Sequence, residues 1–304
     1  MDMHFFEEEV RDGYLVKEDV KKLWAIELDL LSKVKDICNK HNIKYFAIGG
    51  TLLGAVRHKG FIPWDDDIDI GMLYDDYVKF LKIASEELKY PYFLQSYLTE
   101  KEASPLISRV RRTNTTGCTA WEYDNVRYDF NMGIFIDVFP LFNVPDNSLK
   151  KWYQEKRLTV MSWAMHGYDL LRSKRVTGLK LRKKDIPYCF LWKLLSFLTD
   201  YKSYEEKYMR VCNLERNETV NVGLTSYYRK EVYRWPSSVF RSCVELPFEN
   251  TIISCPVDYE KYLDKQYGNW RTPVKAAAQH SMKVLDTEVS YKEKLKTHIE
   301  GERK

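Results

Sequence analysis

Three consecutive aspartates and the Ile-Asp-Ile triplet that follows them constrain this chain more than any other feature of its 304 residues. Residues two apart in a strand point to the same face, so Asp67 and Asp69 share one face with Asp65, and the alternate isoleucines point into a core. Carboxylates held side by side repel one another unless a positive charge lies between them. Residues 65–72 are therefore predicted to form a strand whose acidic face binds a divalent cation, Mg²⁺ or Mn²⁺, through oxygen ligands.

A glycine pair precedes these acids by one short helix. Gly49 and Gly50 follow a predicted strand, and Thr51 is predicted to cap a helix over residues 52–57. Such a turn lets the backbone approach a phosphate closely, and the N-terminus of the helix favours the same anion. Arg57 brings a cation into the same short region. The segment therefore predicts an activated phosphate donor and a metal ion that neutralises the charge of a displaced phosphoryl group.

Three other interpretations fit parts of this pattern. An aspartate cluster also occurs as a solvated turn. A calcium loop needs glycine and glutamate at the positions that Ile70 and Asp76 occupy, so the match fails there. A nucleotide-sugar glycosyltransferase also uses an Asp-x-Asp metal site, but that interpretation leaves the Gly-Gly-Thr turn unexplained.

The composition argues against several classes of protein. A net charge of +4 is too small to favour a nucleic-acid partner. The six cysteines include no Cys-x-x-Cys pair, which gives a zinc or redox site little support. Residues 1–10 carry acids and no long apolar core, so no signal peptide is predicted, and no stretch approaches the roughly 20 apolar residues that span a bilayer. We therefore expect a cytoplasmic protein with reduced thiols.

The order of helical and strand patterns predicts one α/β catalytic domain, with a mixed sheet and flanking helices. Its core is expected over residues 18–145. A mainly helical lobe follows at about 146–219, and a C-terminal segment at about 220–290 is expected to pack back on the core.

The run from Gly49 to Asp69 reads Gly-Gly-Thr-Leu-Leu-Gly-Ala-Val-Arg-His-x-Gly-Phe-Ile-Pro-Trp-Asp-Asp-Asp-Ile-Asp. It resembles the hallmark of the LicD family of phosphotransferases, which includes the fukutin-related proteins, almost without departure. The resemblance continues at residues 134–140, Ile-Phe-Ile-Asp-Val-Phe-Pro, and more loosely at 246–249 and 262–268. Residues 150–220 show no quotable match.

The resemblance implies a nucleotidyltransferase-like fold in which Asp67 and Asp69 form the metal pair and Asp137 is the third acid. It also implies transfer of a phospho-alcohol group from a CDP-linked donor, such as phosphocholine from CDP-choline, to a cell-surface glycan or its lipid-linked precursor, as in lipopolysaccharide or teichoic acid. Asp137 or Asp65 is expected to take the proton of the acceptor hydroxyl. Two alternatives stay open: a nucleotidyltransferase that moves the nucleoside monophosphate itself, and a non-catalytic protein of this fold that binds a metal or a nucleotide.

Two basic regions have their own interpretations. Arg109 and Arg111 share one face of a predicted strand and suit a diphosphate, although a solvated edge strand is the simpler alternative. The basic stretch 172–184, expected to be weakly structured, precedes an apolar run at 186–198. Together they predict peripheral association with the inner face of a membrane. A solvated loop followed by a core helix is the alternative.

Overall fold

The fold is mixed α/β, as the sequence predicts, in a computed structural model that describes residues 3–100, 107–124, 130–177, 180–198, 200–224, 233–274 and 282–302. The elements up to residue 145 are β1 (Glu9–Arg11), β2 (Tyr14–Val16), α1 (Glu18–His41), β3 (Phe46–Ala47), α2 (Gly49–Arg57), β4 (Asp69–Leu73), α3 (Tyr74–Glu87), β5 (Tyr92–Gln95), β6 (Ser108–Arg112), β7 (Thr116–Cys118), α4 (Ala120–Asp124) and β8 (Ile134–Val144). The later elements are α5 (Ser148–Thr177), α6 (Ile186–Leu195), α7 (Tyr201–Cys212), β9 (Asn221–Leu224), β10 (Tyr233–Pro236), β11 (Cys243–Phe248), β12 (Thr251–Pro256), α8 (Tyr259–Tyr267), β13 (Val284–Asp286), α9 (Tyr291–Lys294) and α10 (Lys296–Glu302).

Strand β8 is the centre of the main sheet. It pairs in parallel with β4 and antiparallel with β6, and its last three residues pair antiparallel with β9. Strand β3 extends the sheet beyond β4, β5 extends it beyond β6, and β10 extends it beyond β9. The first half of β8 is almost continuously apolar and buried, which is the pattern expected of a strand covered on both faces.

Helix α1 forms because its apolar residues recur every three or four positions, which gives one face that packs on β6 and β8. Trp24, Leu28 and Leu31 are buried on that face. Two acids in its first turn suit the positive end of the helix dipole, and Asn42 ends the helix in the left-handed conformation. The aspartate segment packs against this helix, where Trp24 bonds to the backbone of Asp65.

Two of the predicted boundaries are wrong. The predicted strand over residues 65–72 begins only at Asp69. Before it, the Asp65 carbonyl accepts from the indole of Trp24 at 3.0 Å, and pairing with β8 starts at the Ile68 carbonyl, which accepts the backbone N–H of Asp137 at 2.9 Å. Helix α2 begins at Gly49, not after a cap at Thr51. Gly49 has a φ of 56°, and this left-handed turn leads the chain directly from β3 into the helix.

The middle of the chain is helical, with one difference from prediction. The basic stretch 172–184 was expected to be weakly structured, yet α5 continues through its first part to Thr177. Helix α6 follows and leaves an apolar face exposed. Within the described residues, no helix is both long enough and apolar enough to cross a membrane.

Parts of the C-terminal third contact the first half of the chain. Strands β11 and β12 form a hairpin that packs on α2 and β3, and β13 pairs with β7. The carboxylate of Glu249, at the tip of the hairpin, accepts the backbone N–H of Phe61 at 3.0 Å. The division into one domain with a core, a lobe and a returning segment stays a prediction.

Candidate active site

Three charged side chains come from neighbouring positions on three adjacent strands. Asp69 is the register partner of Asp137 across the parallel β4–β8 pair, and Asp137 is the partner of Arg109 across the antiparallel β8–β6 pair. Paired strands lie roughly 4.8 Å apart. Arg109 Nε donates to Asp137 Oδ1 at 2.8 Å. The sheet therefore brings two carboxylates and one guanidinium together in a row.

Glu122 on α4 ties the two arginines of β6 together. It is buried, and its Oε1 accepts from Arg109 at 3.1 Å and also from Arg111. Burial acts to raise the pKa of Glu122, but the guanidinium groups of Arg111 and Arg109 outweigh it, and the pKa is lowered. The ionised Glu122 therefore holds Arg109 in the orientation from which it reaches Asp137.

A second group of acids lies at the entrance to β4. Asp65, Asp66 and Asp67 have carboxylate oxygens that all lie within 4.8 Å of one another. Asp67 is buried, and the other two are half-buried. Among the residues that the structure describes, Asp69 and Asp137 are not part of this group, whose ligand atoms all lie within 4.8 Å of one another. The structure thus brings together a compact group of three carboxylates and, next to it in the chain, the cross-strand pair.

The glycine pair makes room for two of these carboxylates. A Cβ on Gly49 would lie 3.0 Å from Asp69 Oδ2. A Cβ on Gly50 would overlap Asp65 Oδ2, with Asp65 Cγ at 3.4 Å. The predicted reason for the glycines was close approach to a phosphate. The structure gives them a further reason, since any larger residue would displace the acids of the site.

Two hydroxyl groups hold the start of α2 against the start of β4. Thr51 is buried, and its Oγ1 accepts the backbone N–H of Asp69 at 2.8 Å, which joins α2 to the start of β4. The hydroxyl of Tyr262 on α8 accepts the backbone N–H of Gly49 at 3.1 Å. The carboxylate of Asp69 is therefore held against the first turn of α2 by contacts from both ends of the chain.

The acids of the site repel one another. Burial, and after it the carboxylates of Asp67 and Asp137, raise the pKa of Asp69 well above its ordinary range. A divalent cation relieves this repulsion, because it supplies positive charge where carboxylate oxygens converge. A donor set made of carboxylate oxygens fits Mg²⁺ or Mn²⁺. Coordination by Asp67, Asp69 and Asp137 stays a prediction.

Arg111 shares a face with Arg109 but lies in a different environment. It is fully buried, and it donates to Gln95 Oε1 at 2.7 Å, to the Gly133 carbonyl at 2.6 Å and to Glu122. These three acceptors engage each of the three guanidinium nitrogens within the protein. Its predicted contact with a donor phosphate stays a prediction.

Arg57 is not brought to the glycine pair. It lies in the last turn of α2, about 12 Å along the helix from Gly49 at 1.5 Å per residue. Its guanidinium donates to the Trp270 carbonyl at 2.8 Å. Its predicted role in binding phosphate also stays a prediction.

Several groups at this site were absent from the sequence interpretation. Asp66 was not singled out, because strand alternation selects Asp65, Asp67 and Asp69; residues 65–67 precede β4, so alternation does not apply to them. Nothing in the sequence around Glu122 marks it as a site residue, since its role comes from its bonds to Arg109 and Arg111 on β6. Tyr262 was noticed only as the start of a loosely matching segment.

Comparisons with known proteins agree with this geometry. Residues 42–168 match the family described as LicD/FKTN/FKRP, nucleotidyltransferase domain. This range includes α2, the aspartate segment, β6 and β8, which are the elements that carry the candidate site.

The relatives extend the match. The Lipopolysaccharide cholinephosphotransferase LicD of Haemophilus influenzae is 25% identical over 256 residues, which cover 80% of this chain and 88% of that protein. The Ribitol 5-phosphate transferase FKRP of Mus musculus is 24% identical over 128 residues, 42% of this chain and 21% of that protein. An uncharacterized protein of Rickettsia typhi, RT0683, is 50% identical over 76 residues, 25% of each chain. The chain is therefore similar to LicD proteins, through the domain match at residues 42–168 and through a relative that covers 80% of its length.

Proposed function

We propose that this protein is a metal-dependent phosphotransferase that moves a phospho-alcohol group, of the phosphocholine type, from a CDP-linked donor to a cell-surface glycan or its lipid-linked precursor. The observation that carries the proposal is the row of Asp69, Asp137 and Arg109 beside the glycine-lined start of α2. Similarity to a lipopolysaccharide cholinephosphotransferase and to a ribitol 5-phosphate transferase supports the kind of group that is moved.

Each side chain has a defined task in this proposal. Asp67, Asp69 and Asp137 hold Mg²⁺ or Mn²⁺, which neutralises the charge that develops on the phosphoryl oxygens when it is bound. The backbone N–H groups at the start of α2 and the guanidinium of Arg109 bind the diphosphate of the donor. Glu122 orients Arg109 and does not contact the substrate.

The transfer balances as a displacement at phosphorus. The oxygen of the acceptor hydroxyl forms a bond to the phosphorus that carries the alcohol, and the bond from that phosphorus to the bridging oxygen breaks. CMP leaves with the bridging oxygen and its electron pair. Asp65 or Asp137 takes the proton of the acceptor hydroxyl.

A product analysis tests the proposal. The purified protein is given a panel of CDP-alcohols, Mg²⁺ or Mn²⁺ and a glycan acceptor, and CMP release is measured. We expect CMP release that EDTA abolishes and that Asp69→Asn reduces to background. Transfer of the nucleoside monophosphate itself would instead identify a nucleotidyltransferase. The absence of turnover across the whole panel, with donor binding retained, would point to a non-catalytic protein and overturn the proposal.

We also propose that the protein works at the cytoplasmic face of an anionic membrane, where a lipid-linked acceptor would be found. Ile186, Phe190 and Leu194 recur every fourth residue on α6 and are all exposed. Lys183 and Lys184, at the start of the helix, are exposed as well. An apolar face bordered by lysines complements a surface of acidic lipid headgroups.

A further inference from the structure

Glu27 is a buried acid on α1 that the mechanism above does not use. Its side chain has no exposed surface, and neither carboxylate oxygen has a hydrogen-bond partner within the part of the chain that the structure describes. Two other buried acids, Glu122 and Asp137, have a cationic partner, since Arg109 bonds to both. A buried carboxyl with no such partner is costly unless another group compensates it.

The position of Glu27 on α1 directs it to the aspartates. Trp24 lies one turn earlier on the same helix face, and its indole bonds to the backbone of Asp65. Burial, and after it the carboxylates of Asp67, Asp66 and Asp65, raise the pKa of Glu27 well above its ordinary range. Glu27 therefore lies on the buried face of α1 that packs against the aspartate segment.

We propose that Glu27 is a member of the cation site. It supplies a further carboxylate oxygen from α1, either to the ion or to a water that the ion holds. The inference rests on the cation site of the proposed function. The reason is electrostatic: a divalent cation bound at Asp67, beside Asp65 and Asp66, compensates Glu27 and these three aspartates together, whereas no single hydrogen bond would compensate all four.

Binding of Mn²⁺ to the full chain, without any donor, tests the inference through the paramagnetic resonance of the free ion. Glu27→Gln keeps the shape of the side chain and removes its charge. Glu27→Met, which leaves no polar atom to satisfy, guards against misfolding of the first variant. Asp36→Asn is the matched control, because Asp36 lies on the same helix with a side chain 68% exposed.

We expect both Glu27 variants to raise the Mn²⁺ dissociation constant by at least about tenfold, the loss found when an outer-shell partner of a metal site is removed. We also expect the metal-free variants to melt at or above the temperature of the wild type, since a buried carboxyl that faces three others has been removed. Asp36→Asn should change neither quantity. Variants that bind Mn²⁺ within twofold of the wild type would show that Glu27 is structural and overturn the inference.

This experiment separates the inference from the proposed function. If the wild type binds Mn²⁺ and the Glu27 variants do not, but no CDP-alcohol yields CMP, the proposed function fails and Glu27 keeps its role. If the wild type binds no Mn²⁺ at all, the cation site fails and the role of Glu27 fails with it.

Discussion

Substitution of Gly50 by alanine tests whether the glycine is present to admit a carboxylate. The new Cβ would overlap Asp65 Oδ2, with Oδ1 at 3.7 Å. Gly54 lies one turn later on the same helix, and its Cβ would overlap the backbone carbonyl oxygen of Gly60, with Ile62 N at 3.3 Å. The two substitutions add the same methyl group to α2, but one meets a half-buried side chain and the other meets backbone.

The stability effects should differ in sign. Alanine in place of glycine in a helix gains up to about 1 kcal/mol. At Gly50 this gain is kept, because the Asp65 side chain can rotate away, so the Tm should stay constant or rise by about 2 °C. At Gly54 an overpacking cost of about 1–3 kcal/mol opposes the gain. Gly54→Ala should therefore lower the free energy of unfolding by up to about 2 kcal/mol and the Tm by about 4 °C.

For Mn²⁺ affinity the order is reversed: Gly50→Ala should be impaired and Gly54→Ala should not. In Gly50→Ala the displaced Asp65 carboxylate leaves the group of three acids, and the Mn²⁺ dissociation constant should rise about tenfold, equivalent to roughly 1.4 kcal/mol. Gly54→Ala should bind Mn²⁺ like the wild type below its Tm. Thermal unfolding, Mn²⁺ titration and CMP release measure the three quantities. Wild-type affinity in Gly50→Ala, or an equal loss in Gly54→Ala, would refute the link between this glycine and the acid.

Three further predictions concern separate parts of the molecule. Asp137→Asn should reduce CMP release at least about 100-fold with a nearly unchanged Tm, because a charged group at the reacting phosphate is lost and its shape is kept; a mild rate effect would contradict this. Arg111→Lys should lower the Tm by about 4 °C or more. Lysine cannot reach all three acceptors of Arg111 at once, and leaving a buried acceptor unpaired costs about 2 kcal/mol. An unchanged Tm would contradict this prediction. The double variant Phe190→Ser and Leu194→Ser should co-sediment with anionic vesicles at least tenfold more weakly at an unchanged Tm. Equal sedimentation of variant and wild type would contradict a membrane role for α6.

Periodicity predicted the helices and strands that are amphipathic or continuously apolar. Apolar residues at three- and four-residue spacing predict helices over residues 18–42 and 75–88, and the structure has α1 at Glu18–His41 and α3 at Tyr74–Glu87, because the buried faces dictate their length. The errors fall at the site itself. The strand start at Asp65 and the cap at Thr51 were inferred from local rules. In the structure, the Asp65 carbonyl accepts from Trp24 and the Thr51 hydroxyl accepts from the backbone of Asp69, and neither partner is visible to a local rule.

Glu27 shows a signal that the sequence contains and that was overlooked. It lies three residues after Trp24 and four before Leu31, so helical spacing puts it on the buried face of α1. A carboxylate at such a position is costly unless something compensates it. The sequence alone could have marked it as a candidate, although it could not have told which group it faces.

Arg109 and Arg111 show where sequence reasoning ends. Alternation correctly puts both on one face of β6, and nothing in the strand distinguishes them. Their difference comes from α4, whose Glu122 reaches both, and from Gln95 on β5, which reaches only Arg111 among these two arginines in the described contacts. One arginine is thereby engaged within the protein, and the other bonds to an acid of the site. Which of two like residues can meet a substrate is therefore decided by the neighbouring elements, and only the folded arrangement of those elements specifies it.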